Sequence, residues 1–309
     1  MARLAPTDAA GNFRRTESRF RHRIADESDF PPSVQRYVLI VGRSCPWAHR
    51  TRLVHSIKGL GGAIALTIVQ PSAAGVWAFT EPFEGCRTLP ELYRLAAGNE
   101  AGRATVPLLW DQQTRQIVNN ESSEIIRLLN HAFDAWALHP ELDLAPTELS
   151  AAIEDWDARL YPTVNNGVYR CGFAQTQLAY ETAATELFAN LETLDRHLDR
   201  QRFLTGDRPT LADIRLFPTL IRFDPVYHGL FKCNRRRIRD YANLWGYLRD
   251  LYQWPGVAAT CDLDAYQQDY YGQLFPLNPG GIVPLSPDPA ELLTPHGRED
   301  RFNVHSISV

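Results

Sequence analysis

Apolar and polar positions divide the chain into two stretches of different period. In the first, short apolar runs alternate with polar turns. Residues 37–41 are a continuous apolar run of the length of a buried strand, and residues 63–69 read as a second strand. Between them, residues 46–58 carry a helical pattern that opens on Pro46 and closes at Gly59. Proline suits a first helical position because its missing N–H would have no intrahelical partner there. Residues 71–104 keep neither period and are expected to form a long irregular insert. Residues 106–110 and 116–118 then read as a hairpin joined by the polar turn 111–115. A helix is expected from about Glu121, with Ile125, Ile126, Leu128 and Leu129 on its apolar side.

Beyond Pro146 the pattern is helical. Leu149, Ile153, Trp156 and Leu160 line one face; Leu187, Leu191, Leu194 and Leu198 repeat the spacing, as do Leu244, Leu248 and Leu251. Thr210 and Asp213 have the spacing of a capping box, in which each side chain satisfies a backbone N–H near the other. From Phe275 onward the chain is rich in proline and glycine, which predicts an irregular tail on the surface. The order β-α-β, insert, β-β-α is the thioredoxin-like arrangement. The expected fold class is therefore an α/β thioredoxin-like N-terminal domain plus an all-α C-terminal domain. The expected divisions are an extension over 1–35, the thioredoxin-like domain over 36–131, the helical domain over 146–275 and the tail over 276–309.

Composition narrows the class. The chain has 309 residues, 44% hydrophobic and 22% charged, enough for an ordinary globular core. Its net charge of −4 leaves no footprint for nucleic acid, and the one basic run, at residues 235–239, reads as a solvated turn or helix start. Five scattered cysteines argue for a reducing compartment and against a disulfide framework. The nine histidines show no ligand-like spacing, so no metal site is expected. No apolar span is long enough for a membrane, and the acidic residues among Arg14, Arg15 and Arg19 speak against an organellar leader. A cytoplasmic protein is expected.

Cys45 is the most informative residue. It lies between an apolar strand and a helix that opens on Pro46, where free backbone N–H groups and the helix dipole favour an anion by roughly 0.3–1 kcal/mol. Three residues on, where a dithiol motif would place its second cysteine, stands Ala48. A lone thiolate needs an external thiol to resolve it, and glutathione is the obvious one. In thioredoxin-like folds the proline of a segment such as Thr105-Val106-Pro107 is typically cis and faces the cysteine. Val106 would then offer its backbone to the cysteinyl unit of glutathione. Asn119-Asn120-Glu121-Ser122 marks a helix start. Ser122 there could hold the γ-glutamyl carboxylate while Glu121 pairs with the ammonium of the same zwitterion.

The strings CPWAHRT, TVPLLWD, NNESSEII, NNGVYRCGFA, LTGDRPTLADIRLFPTLIRFDPVYHGLFKCN and NPGGIVP together resemble the glutathionyl-hydroquinone reductases, the xi class of glutathione transferases, over residues 13–287. The resemblance implies a glutathione transferase fold, a homodimer, and reduction of glutathionyl-hydroquinones to hydroquinones with glutathione as co-substrate and no bound cofactor. By position, Cys45 resembles the family's nucleophile and Trp77 its glutathione-stacking tryptophan. Arg103, Ala104, Thr105, Val106, Glu121 and Ser122 resemble the rest of the glutathione site. Tyr169, Tyr227 and Tyr270 match the tyrosines around the sulfur, with Tyr169 as proton donor and the other two holding the thiolate. Tyr169 and Tyr227 fall in glycine-containing segments, 165–172 and 224–229, expected as loops. Two other readings remain: a general monothiol thiol transferase or dehydroascorbate reductase, which needs no carbon protonation, and a non-catalytic ligand-binding module on the same scaffold.

Overall fold

The computed structural model describes residues 5–274 and 276–302. The chain falls into two compact units, Glu17–Asp143 and the described parts of Met1–Thr16 with Leu144–Val309. The expected extension over 1–35 is therefore shared, its first stretch belonging with the helical unit. The unit boundaries are residues 16/17 and 143/144.

The unit Glu17–Asp143 is built on a sheet of order β4-β3-β2-β1-β5-β6. Strand β1, Tyr37–Gly42, is buried along its whole length because it lies between parallel β2, Ala65–Pro71, and antiparallel β5, Leu108–Asp111. Helix α1, Pro46–Ile57, follows β1, and Gly59 in the left-handed conformation ends the turn after it. A side chain at Gly59 would collide with that of Leu138. Residues 71–104 are not the irregular insert expected from their pattern. They contain β3, Trp77–Phe83, β4, Cys86–Thr88, and helix α2, Leu89–Ala97, whose start is closed by a Thr88–Glu91 capping box. β3 is half-exposed with no in-out alternation in its burial, so no alternation betrays it. Strand β6, Gln116–Asn119, closes the hairpin with β5, and helix α3, Ser122–His131, follows. At the β1–β5 end, Arg36 makes a buried two-pronged pair with Asp111, at 3.0 and 2.5 Å.

The second unit is helical: α4 Ser150–Leu160, α5 Gly167–Gly172, α6 Gln177–Leu198, α7 Leu211–Arg222, α8 His228–Leu230, α9 Leu244–Gln253, α10 Leu263–Gln273 and α11 Arg298–Arg301. Two wide turns interrupt it, Tyr161–Asn165 and Phe223–Tyr227, each closed by an N–H bonding five residues back. The capping box at Thr210 and Asp213 is present and fully buried. The arginines of the basic run are exposed around the buried Ile238, with Arg237 bonded to Asp240 and Arg239 to Glu291. Within residues 276–302 the tail is not wholly irregular: it includes the turn Pro289–Leu293 and α11. Arg298 fastens it, donating from a buried guanidinium to the carbonyls of Leu198, Gln201 and Arg202. Residues 1–4 of the expected extension, residue 275 and residues 303–309 of the expected tail lie outside the described residues.

Candidate active site

In the unit Glu17–Asp143, Cys45 is the N-cap of α1, with extended backbone angles and Pro46 at the first helical position. Its own N–H bonds back to the Gly42 carbonyl at 3.1 Å, which tightens the turn out of β1. Its side chain does not cap the helix. The half-buried thiol instead donates to the Val106 carbonyl at 3.7 Å. The Val106–Pro107 peptide is cis, as the motif led one to expect. Trp77 opens β3 opposite Pro71, and its six-membered ring lies over Gly42. A Cβ at Gly42 would come within 2.7 Å of the indole, so only glycine lets the ring settle beside the turn that carries Cys45.

Glu121 is the N-cap of α3. Its carboxylate accepts from the Ser123 N–H and hydroxyl, both at 3.0 Å, and from the Ser18 hydroxyl at 2.9 Å. Burial pushes its pKa up, but these hydrogen bonds and the Arg50 cation outweigh that and hold it below the usual carboxylate range. An ionised acid is thus fixed at a helix start, next to the buried Ser122. Arg50, from the helix that Cys45 opens, reaches the Ser122 hydroxyl at 3.5 Å and lies 4.6 Å over the Trp47 ring. Thr105 is held by Tyr93, whose phenol donates to its carbonyl at 2.8 Å, while Asn120 donates to that phenol at 3.0 Å. Arg103 is exposed and Ala104 half-buried on the segment leading to Val106. The fold thus brings Cys45, Val106, Trp77 and the Glu121–Ser122 pair into one neighbourhood linked by Gly42 and Arg50.

The three tyrosines form a cluster within the helical unit. Tyr169 and Tyr270 share a 2.5 Å hydrogen bond, and Tyr227 lies 3.3 Å from the Tyr270 hydroxyl. The rings of Phe173 and Phe231 pack against them. The expectation of loops at these positions does not hold. Tyr169 lies on α5, and Tyr227 ends the wide turn Phe223–Tyr227. The nearby glycines serve packing: a Cβ at Gly172 would come within 2.4 Å of Phe231. Burial pushes the phenols of Tyr227 and Tyr270 well above the usual value, so both stay protonated and can act only as O–H donors toward an anion. Tyr271, next in sequence, points elsewhere, its hydroxyl lying against Gly229.

Residues 44–132 match the glutathione S-transferase N-terminal domain, and residues 177–250 the C-terminal domain. The chain is 42% identical to glutathionyl-hydroquinone reductase YqjG of Escherichia coli K12 over 94% of each chain. It is 44% identical to glutathionyl-hydroquinone reductase PcpF of Sphingobium chlorophenolicum, over 90% of this chain and 91% of that one. The chain belongs to the glutathionyl-hydroquinone reductases, the xi class of glutathione transferases. The crystal structure of the xi-class transferase of Phanerochaete chrysosporium superposes with a TM-score of 0.89 at 42% identity, covering 92% of this chain and 95% of that one. The glutathione-bound structure of YqjG gives 0.86, covering 92% and 97%.

Within this reductase fold, several residues of the site had gone unseen in the sequence. Ser18 reaches Glu121 because residues 20–22 run beside β6, with His22 N–H bonded to Val118 and Asn120 N–H to Phe20. Nothing local signals that pairing. Arg50 could have been found, since it lies one and a half turns from Cys45 on the same helix, but its burial could not. Of the other thiols, Cys261 is half-buried like Cys45 and three are secluded. Cys86, Cys171 and Cys233 are buried, and burial pushes the Cys86 and Cys233 thiols up. Among the described residues no helix is long and apolar enough to cross a membrane.

Proposed function

We propose that the chain reduces glutathionyl-hydroquinones to hydroquinones through a mixed disulfide between Cys45 and glutathione. The observation that carries this reading is a half-buried thiol at the N-cap of α1, beside the Val106 carbonyl and without a second cysteine in its helix. The Cys45 thiolate attacks the adduct's sulfur, the carbon–sulfur bond breaks, and the Tyr169 phenol protonates the departing ring carbon. A second glutathione gives its proton to the tyrosinate, attacks the mixed disulfide, and leaves as oxidised glutathione with Cys45 restored. No bound cofactor is needed. Trp77, Arg103, Ala104, Thr105, Val106, Glu121 and Ser122 bind glutathione, while Tyr227 and Tyr270 hold the thiolate. A homodimer in the cytoplasm is part of the same reading.

Side-by-side assays test it. Reduction of a glutathionyl-hydroquinone should far outpace conjugation of glutathione to a chloronitrobenzene, because a cysteine nucleophile takes the adduct's sulfur whereas conjugating enzymes activate bound glutathione with a hydroxyl. Faster conjugation would return the protein to the ordinary transferases. Fast disulfide exchange without adduct reduction would favour a general thiol transferase.

Glu121→Gln separates binding from capping. The amide keeps an oxygen for Ser123 but loses the charge that would meet the glutathione ammonium, a contact worth roughly 1.5–3 kcal/mol. The KM for glutathione should rise about ten-fold or more, while loss of the Ser18 contact and of the charge beside Arg50 lowers the melting temperature only modestly. Steady-state kinetics and a thermal melt check both, and an unchanged KM would move the ammonium site elsewhere.

A further inference from the structure

Behind the three linked phenols lies a buried cation that the scheme above leaves unused. Arg222, the last residue of α7, has no solvent exposure. Its guanidinium carbon sits 3.5 Å from the centroid of the Tyr266 ring, and Nη1 donates to the Pro218 carbonyl at 3.0 Å. Tyr266 and Tyr270 are four residues apart on α10 and so share a face. Tyr227 ends the wide turn that continues α7 directly from Arg222. The arginine thus sits where both elements carrying inner phenols meet. After burial, the largest electrostatic influences on it are Tyr266, Tyr227, Tyr270 and Tyr169, in that order.

We propose that Arg222 is a positioning residue: it holds a fixed positive charge beside the Tyr169–Tyr270–Tyr227 chain and stabilises the phenolate left when Tyr169 gives up its proton. The proposal rests on the reductase reading, in which that proton goes to the ring carbon. The step balances without a further reactant. The carbon–sulfur bond breaks, the Cys45–sulfur bond forms, the carbon gains the phenol's proton, and the phenolate recovers one from the second glutathione. Through the Tyr169–Tyr270 hydrogen bond the negative charge is shared toward the arginine, which stays protonated throughout. Burial raises the Tyr227 and Tyr270 phenols and Arg222 opposes that rise. Without it the cluster would be a set of weak acids in an apolar pocket.

The other ionisable side chains on these packed elements are Asp213 and Arg215 on α7, Asp224 and His228 around Tyr227, Asp264, Asp269 and Tyr271 on α10, and Arg170, Cys171 and Cys233 near Tyr169 and Phe231. Asp224 is committed to the N–H groups of Ile238 and Arg239, at 2.6 and 3.1 Å. Arg170 is paired with Glu186.

The test compares two reactions of the same Cys45: reduction of a glutathionyl-hydroquinone, which protonates carbon, and exchange with the mixed disulfide of glutathione and 2-mercaptoethanol, which does not. In Arg222→Gln the ratio of the first rate to the second should fall several-fold, since a buried cation favours the anionic form of neighbouring phenols and its loss weakens the acid. The ratio is independent of how much protein is folded. Arg222→Lys decides the matter even if the glutamine variant does not fold, because a buried lysine loses its proton within the accessible pH range while arginine does not. Its ratio should match wild type at low pH and fall as pH rises. A purely structural clamp between α7 and α10 would leave the ratio unchanged in Arg222→Gln and independent of pH in Arg222→Lys, and either result would overturn the proposal. Wild-type protein that exchanges disulfides but never reduces the adduct would instead remove the reductase reading itself.

Discussion

Cys45→Ser should lose reduction of glutathionyl-hydroquinones by on the order of 10³-fold or more, the scale of removing a covalent nucleophile. The expectation follows from where the remaining sulfurs sit. Cys86, Cys171 and Cys233 are buried, and Cys261, half-buried, is 3.7 Å from the Val257 carbonyl at the far side of a short helical turn. None of the four shares Cys45's place at a helix N-cap. Intact mass spectrometry after one equivalent of substrate should show one glutathione on the wild-type protein and none on Cys45→Ser. Replacing the other four together should leave substantial turnover in protein that folds. A glutathione found on the serine variant, or turnover lost in the fourfold variant while it remains folded, would break the monothiol scheme.

Asp213→Ala should destabilise the helical unit by about 3–5 kcal/mol, the largest stability effect expected from one substitution here. The fully buried carboxylate accepts four hydrogen bonds: from the Thr210 N–H at 2.8 Å and its hydroxyl at 3.1 Å, the Leu204 N–H at 3.0 Å, and the Tyr247 phenol at 2.7 Å. Alanine leaves two backbone N–H groups, the Thr210 hydroxyl and a phenol without that acceptor in a dry interior, each costing roughly 1–3 kcal/mol, partly relieved by rearrangement. The loss includes the cap of α7. At about 2–4 °C per kcal/mol for a unit of this size, the melting temperature should drop by roughly 10 °C. Thermal denaturation followed by circular dichroism reads it directly. A drop of only a degree or two would mean that the network re-forms around a water or another acceptor.

The two sites of these predictions differ in how visible they were. The Thr210–Asp213 box has a local spacing that any helix start would show, and the structure contains it. Its links to Leu204 and Tyr247 are tertiary. The same local signal was present at Thr88 and Glu91, inside the stretch taken as an irregular insert, and there it marks the start of α2. β3 escaped for another reason. It is a half-exposed strand containing Pro82, so neither a buried run nor a clean alternation marks it. Tyr169 and Tyr227 were expected in loops because glycines flank them. Yet Gly172 lies in a helical turn and is small because Phe231 occupies the space its side chain would need.

By itself, then, the sequence determined what short-range chemistry encodes: the buried strand before Cys45, the proline-opened helix after it, the hairpin, the helix start at Glu121 and the family these motifs spell out. Those signals are legible because each depends on residues within a turn or two of one another. Only the tertiary structure decided which polar groups are taken out of water and what they then meet. It placed Arg50 against Ser122, Ser18 against Glu121, and Arg222 over Tyr266, through contacts spanning 72, 103 and 44 residues of chain. An arginine in a sequence reads as a surface charge. Whether it is instead a buried cation that tunes a carboxylate or a phenol depends on desolvation and on partners far along the chain, and no local pattern carries that information.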